Sequence, residues 1–170
     1  KLDLAPDTDI AMTMHRPANV DEEEKLRELF EHNIEVSEKM PIVFPCQPRT
    51  KKRLEDFGIT GNAKGLKMSE PLGYLDFLKL QSNANFVLTD SGGVQEETTY
   101  LKIPCITMRE NTERPSTVDI GSNIIVGVNP QNIKDAAMRT INGERKQGDI
   151  PRLWDGKTAG RIVQLMKEHL

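Results

Sequence analysis

A chain of 170 residues with 36% hydrophobic side chains can build one ordinary core and is too short for two full domains. Its formal charge of -3, from 23 basic against 26 acidic residues, provides no broad cationic field. That excludes unspecific collection of nucleic acid or of an anionic membrane, so any anion has to be met by local geometry. No stretch reaches the roughly 20 apolar residues of a membrane span and no signal peptide opens the chain, which sets the expectation of a soluble, cytoplasmic protein.

In chain order, Lys1 stands where a methionine would start a gene product, and the expectation is that something upstream has been removed. Ile10 to Met14 reads as a buried strand, and Asp21 to Met40 as an amphipathic helix with Leu26, Leu29, Phe30, Ile34 and Val36 on or near its inner face. Ile42 to Cys46 is a second strand, Arg49 to Phe57 a basic helix closed by Gly58, Gly65 to Met68 a third strand and Tyr74 to Gln81 a helix. Phe86 to Thr89 follows as a strand that leads through Asp90 into a helix opening at Ser91. Cys105 to Met108 and Ile124 to Val128 are further strands, and Asn132 to Asn142 is helical. The Gly143 to Gly156 stretch is a surface loop before a last helix, Thr158 to Leu170, which carries Ile162, Val163, Leu165 and Met166.

Short strands that are apolar throughout, each followed by a helix, imply a parallel sheet covered on both faces. The fold expected is α/β, a Rossmann-like doubly wound parallel sheet, in which ligands bind beyond the carboxyl ends of the strands. Cys46 and Cys105, the only cysteines, sit in apolar runs outside any CxxC pair and read as reduced core thiols.

Two strand-to-helix turns compete for an anion. The helix after His15 begins Asp21-Glu22-Glu23-Glu24, so its positive dipole end is answered by its own carboxylates. The helix after Asp90 begins Ser91-Gly92-Gly93-Val94-Gln95 and holds back its acids until Glu96 and Glu97, which leaves its first amides open to an anion. The competing reading makes Ser91 a simple N-cap and the glycines a tight turn. Neither GxGxxG nor GxxxxGK occurs. A carboxylate one turn past a bound phosphate is placed to accept hydrogen bonds from ribose hydroxyls, and this favours a nucleoside diphosphate. Three more segments reach the same sheet edge: "MHRPAN" with His15, Arg16 and Asn19; "RENTERPSTV" with Arg109 and Arg114; and "FPCQPRT" with Gln47 and Arg49. For His15 a structural role competes with a functional one, and for the two loop arginines solvent competes with phosphate.

"MHRPANVD", "PLGYLDFLKL", "LTDSGGVQEE" and "TERPSTV", in this order over essentially the whole chain, resemble the carboxyl-terminal half of the non-hydrolysing UDP-N-acetylglucosamine 2-epimerases. The resemblance implies that residues 1–170 are the second, UDP-binding domain of a glycosyltransferase-B fold, with the amino-terminal domain absent from this chain. It implies that Ser91, Gly92 and Gly93 form the diphosphate turn, and that Glu97 accepts the ribose hydroxyls. Phe77 then packs on uracil, although by periodicity it reads as core, while Arg114 faces phosphate and His15 stands near the leaving group. The implied reaction inverts carbon 2 of the sugar by eliminating UDP to a glycal and adding it back. Amides, Arg114 and a protonated His15 suit the departing diphosphate, whereas moving the carbon 2 proton needs carboxylates, which the family draws largely from the missing domain. UDP and a UDP-N-acetylhexosamine are the implied partners, the whole protein is a homodimer, and no NAD or metal is called for. Two departures stand out: "HRPAN" where relatives commonly read "HRREN" or "HRAEN", with Asn19 kept, and Gln47, which cannot become a cation, where relatives commonly carry histidine. A glycosyltransferase of the same architecture, a hydrolysing epimerase and a non-catalytic nucleotide-sugar-binding module are the alternative readings.

Overall fold

The computed structural model describes residues 6–61 and 63–169; the expectation drawn at Lys1 and the Leu170 end of the last helix lie outside them. Six strands form one sheet: β1 (Ile10–Thr13), β2 (Ile42–Pro45), β3 (Leu66–Ser69), β4 (Phe86–Thr89), β5 (Cys105–Thr107) and β6 (Asn123–Ile125). Their order is β3-β2-β1-β4-β5-β6 and every neighbouring pair is parallel. This is the doubly wound order, and strand succession reverses between β1 and β4, the place where such sheets open a crevice. The helices are α1 (Pro17–Val20), α2 (Glu23–Ser37), α3 (Pro48–Asp56), α4 (Tyr74–Asn83), α5 (Gly92–Leu101), α6 (Pro115–Asp119), α7 (Pro130–Ile141) and α8 (Thr158–His169). No helix among the described residues is long and apolar enough to cross a membrane.

The strands are apolar on both sides because both sides are covered. Ile10, Met12, Phe44, Phe86, Leu88 and Ile106 pack with Leu26, Leu29 and Phe30 of α2, Leu54 of α3 and Ile133 of α7. Burying each of the larger of these side chains stabilises the fold by about 1.5–3 kcal/mol. The alternate residues Ala11, Val43 and Val87 face the other way, onto Leu80, Ala84 and Val94 around α4 and α5. Those side chains are small, which lets α4 and α5 ride close to the sheet centre. Gly65, just before β3, is imposed by a close approach: a Cβ there would lie 2.1 Å from the Ser37 carbonyl oxygen at the end of α2.

Several boundaries move for identifiable reasons. The acidic run does not start a helix at Asp21, because that carboxylate turns to Arg49 and Arg53 of α3. Helix α2 begins two residues later, with Glu23 and Glu24 in its first turn, and Glu22 at its N-cap makes no side-chain cap bond. The dipole is thus answered by charge alone. Ile34 is only partly buried against the core. The single-turn helices α1 and α6, both entered through proline at N1, replace what periodicity reads as loop. The stripe on α8 is the largest difference: Ile162, Val163, Leu165 and Met166 remain 51–54% exposed, and no residue of that helix is buried.

Candidate functional site

At the carboxyl ends of β1, β2 and β4 the chain leaves a cleft of about 640 Å³. It brings together five of the residues singled out in sequence: His15 and Arg16 after β1, Gln47 after β2, Phe77 on α4 and Ser91 at the mouth of α5. Arg49, the weaker candidate beside Gln47, also reaches it, although its guanidinium is engaged by Asp21. Phe77 packs on the core under α4, as its periodicity reads, and also lines the cleft.

The floor is stitched at the switch point. Thr13 Oγ1 and Thr89 Oγ1 lie 2.7 Å apart, joining the ends of β1 and β4, and the Ser91 amide donates to Thr89 Oγ1 at 3.0 Å. Thr50 on α3 donates to the Met14 carbonyl at 2.6 Å, fixing the turn that carries His15.

The mouth of α5 separates the two readings of "SGG". Ser91 is at the N-cap in extended conformation, yet its side chain makes no cap bond, and no acidic residue stands in the first turn. The first-turn amides therefore keep their donor capacity, and the helix brings no acid of its own to its dipole. Neither Gly92 nor Gly93 has a positive φ, so turn geometry does not demand glycine. A Cβ on Gly93 would meet nothing within 4 Å, and one on Gly92 would approach only Glu113 Oε2, at 3.9 Å. By contrast α7 is capped, Asn129 accepting from the Gln131 and Asn132 amides at 3.0 and 3.2 Å.

The loop after β5 leans over this mouth. Arg109, whose side chain is 12% exposed, grips Glu113 with both terminal nitrogens at 2.9 and 2.6 Å. That grip, with Arg16 adding a smaller attraction, holds the Glu113 carboxyl down to about 2 and raises the Arg109 guanidinium further. A network inside the fold sets the loop: Gln95 Oε1 accepts from Thr112 Oγ1 at 2.6 Å and from Asn123 Nδ2 at 3.3 Å.

Five expected ligand residues lie outside the cleft lining. Asn19 has no exposed surface; its amide donates to Asp90 Oδ2 and to the Met108 carbonyl, each at 3.1 Å. It is a brace beneath the cleft, not a contact within it, because burial has already committed both its protons. Arg114 is the N-cap of α6 and pairs with Glu96 at 3.0 Å, outside the cleft lining. Glu97 accepts from buried Gln81 at 2.7 Å and lines an adjoining groove of about 450 Å³ with Tyr74, Tyr100 and Trp154. Gly92 and Gly93 lie at the helix entrance just beyond Ser91. Sequence reasoning assigned no role to Asp90, the fully buried acid that follows β4; an acid directly after a buried strand is the signal that could have found it. Cys46 and Cys105 are free and buried, and burial pushes both thiols up to about 11, which leaves no thiolate for nucleophilic chemistry at neutral pH.

Sheet order, crevice and open helix mouth together define a Rossmann-like α/β domain of the kind that seats a ligand at its topological switch point. A family model described as UDP-N-acetylglucosamine 2-epimerase matches residues 2–167. The chain belongs to that family. It is 44% identical over 160 residues to a UDP-N-acetylglucosamine 2-epimerase of Methanocaldococcus jannaschii, covering 91% of this chain and 43% of that protein. A UDP-2,3-diacetamido-2,3-dideoxy-D-glucuronate 2-epimerase of Pseudomonas aeruginosa is 34% identical over 158 residues, covering 92% and 44%. The crystal structure of the Methanocaldococcus jannaschii UDP-GlcNAc 2-epimerase in complex with UDP-GlcNAc and UDP superposes with a TM-score of 0.83 at 43% identity, over 96% of this chain and 46% of that one. The chain thus spans a little under half the length of the relatives it matches.

Proposed function

We propose that this chain is the UDP-binding domain of an enzyme that interconverts UDP-N-acetylglucosamine and UDP-N-acetylmannosamine by inversion at carbon 2, through elimination and readdition of UDP. The observation that carries the reading is the α5 mouth, uncapped, free of acids in its first turn and open above Gly93. A first-turn helix position filled by glycine without a positive φ has no backbone need of it, and close approach of a ligand to the backbone accounts for it. The diphosphate sits on these amides. Gly93 and Glu97 are four residues apart and so share one helix face, which leads the nucleoside from the mouth toward Glu97 for its ribose, while Phe77 offers its exposed face to uracil. His15 and Arg16 reach the leaving-group side. Arg114 joins the phosphate by exchanging Glu96 for it.

Both named relatives act on UDP-linked sugars, so the nucleotide end is what their names have in common. The uncovered apolar stripe on α8 is consistent with a further domain, which in this proposal supplies the carbon 2 acids and closes the sugar side. The proposal extends to a homodimeric, cytoplasmic whole protein on the family resemblance, and light scattering of that protein reads the first of these. Calorimetric titration of this chain with UDP tests the site: weak but measurable binding is expected, reduced in Ser91→Ala and Glu97→Ala. Unchanged affinity in both variants removes the assignment.

A further inference from the structure

The carboxylate of Asp90 is enclosed at the end of β4, with no exposed surface. Its Oδ2 accepts three bonds: the His15 amide at 2.9 Å, the Arg16 amide at 2.8 Å and Asn19 Nδ2 at 3.1 Å. Three donors saturate that oxygen and wrap the "HRPAN" turn around it. The other oxygen, Oδ1, has no aligned hydrogen bond of its own, and His15 Nδ1 stands 3.1 Å away. A buried anionic oxygen without a donor is costly, and a small rotation of the imidazole aligns the N–H that supplies one. The ring's other nitrogen, Nε2, is then left for the cleft that His15 lines.

We infer that Asp90 is a positioning residue that keeps the His15 proton on Nδ1 and presents a bare Nε2 to the leaving-group side of the cleft. The inference deepens the proposed function and rests on it for the meaning of Nε2, although the tautomer itself does not depend on any ligand. A histidine fixed in this way takes a proton from solvent at Nε2 and, as the imidazolium with Nδ1–H held by Asp90, gives that same proton to a departing phosphate oxygen and returns to the neutral ring. In the opposite tautomer Nε2 has no lone pair facing the cleft to be reloaded. The asymmetry of the Asp90 contacts makes the claim sharp. In Asp90→Asn the three donors require a carbonyl oxygen at the Oδ2 position, so the new amide nitrogen must face His15 Nδ1. It is a donor, and it drives the ring proton to Nε2.

Long-range proton–nitrogen correlation NMR on the neutral His15 ring reads the tautomer in this chain directly. The parent is expected to show a protonated Nδ1 and a bare Nε2; the reverse pattern in the parent overturns the inference without any variant. Asp90→Asn is expected to invert the pattern in a chain that still melts cooperatively, and an unchanged tautomer in that folded variant overturns it as well. UDP titration of the same samples separates the two ideas. Loss of the tautomer effect with UDP bound as expected rejects the role of Asp90 alone, and absence of UDP binding with the tautomer switch intact rejects the nucleotide reading alone.

Discussion

Gly93→Ala separates what the fold needs from what a ligand needs. The glycine has no positive φ, an added methyl would meet nothing within 4 Å, and the residue lies inside α5. Alanine is favoured over glycine in a helix by about 0.5–1 kcal/mol, so the variant should be more stable by about that amount, a rise in melting temperature of about 1–4 °C for a domain of this size. In the proposed site the same methyl stands where a phosphate oxygen approaches the first-turn amides. Crowding of one methyl into a fitted contact costs about 1–3 kcal/mol, which is about a 5- to 150-fold loss of affinity. Urea unfolding and UDP calorimetry on one preparation measure both. A stabilised variant that binds UDP as the parent does would refute placement of the diphosphate at this mouth, and a destabilised one would show that the fold itself requires the glycine.

Gly65→Ala should destabilise by about 1–3 kcal/mol or more in urea unfolding, because its Cβ would fall 2.1 Å from the Ser37 carbonyl oxygen and backbone has to move. Glu113→Gln should tighten UDP by a factor of about 1.5–5, the scale of an exposed ion pair, since it removes an anion from the lip of the mouth and frees Arg109. Because the Glu113 carboxyl lies at about 2 against an ordinary 4.5, its contribution to stability is present above about 4.5 and fades as pH falls from there toward 2; acid titration of stability should be flatter in the variant. Cys46 and Cys105, held at about 11 by burial, should resist iodoacetamide in the native chain near neutral pH and react once guanidinium unfolds it, as mass spectrometry can count. This chain mixed with UDP-N-acetylglucosamine in deuterium oxide should leave the sugar's carbon 2 unlabelled by NMR, and deuterium there would contradict the assignment of proton transfer to other residues.

The sheet was readable because a doubly covered parallel strand advertises itself as a short apolar run: Ile42 to Cys46 predicts β2 to within a residue, and Phe86–Thr89 matches β4 at both ends. The uncapped, acid-free first turn of α5 was readable for a related reason, since helix-end electrostatics act over one turn and the acids of that turn are sequence neighbours. What was hidden depends on distant partners or very short elements. Helices α1 and α6 run for four and five residues, less than two turns, so no periodicity announces them. Nothing in the sequence tells that Asn19 reaches Asp90, 71 positions away, or that Arg114 is engaged by Glu96 before any phosphate arrives. The α8 stripe has the ordinary pattern of a core-facing helix, and only the fold shows that the sheet it would cover is already occupied by α2, α4, α5 and α7.

The distribution of carboxylates around the cleft argues for a division of labour. Asp90 is enclosed and saturated on one oxygen, Asp21 belongs to Arg49 and Arg53, and Glu113 belongs to Arg109. Glu96 and Glu97 are taken by Arg114 and Gln81. A group that removes a proton from carbon needs a lone pair free to reach the substrate, and no Asp or Glu is among the described residues lining the cleft. What the cleft does present is donor capacity at the α5 mouth amides and Arg16, joined by the His15 ring once Nε2 is protonated, all suited to a diphosphate as it acquires charge in leaving. In the proposed reaction the groups that stabilise departure lie on this sheet edge, and the groups that exchange the carbon 2 proton approach from the open side. A glycal formed between them would be released by a single half and retained by two, so the proposed inversion requires the cleft to be closed on both sides before the bond to UDP breaks.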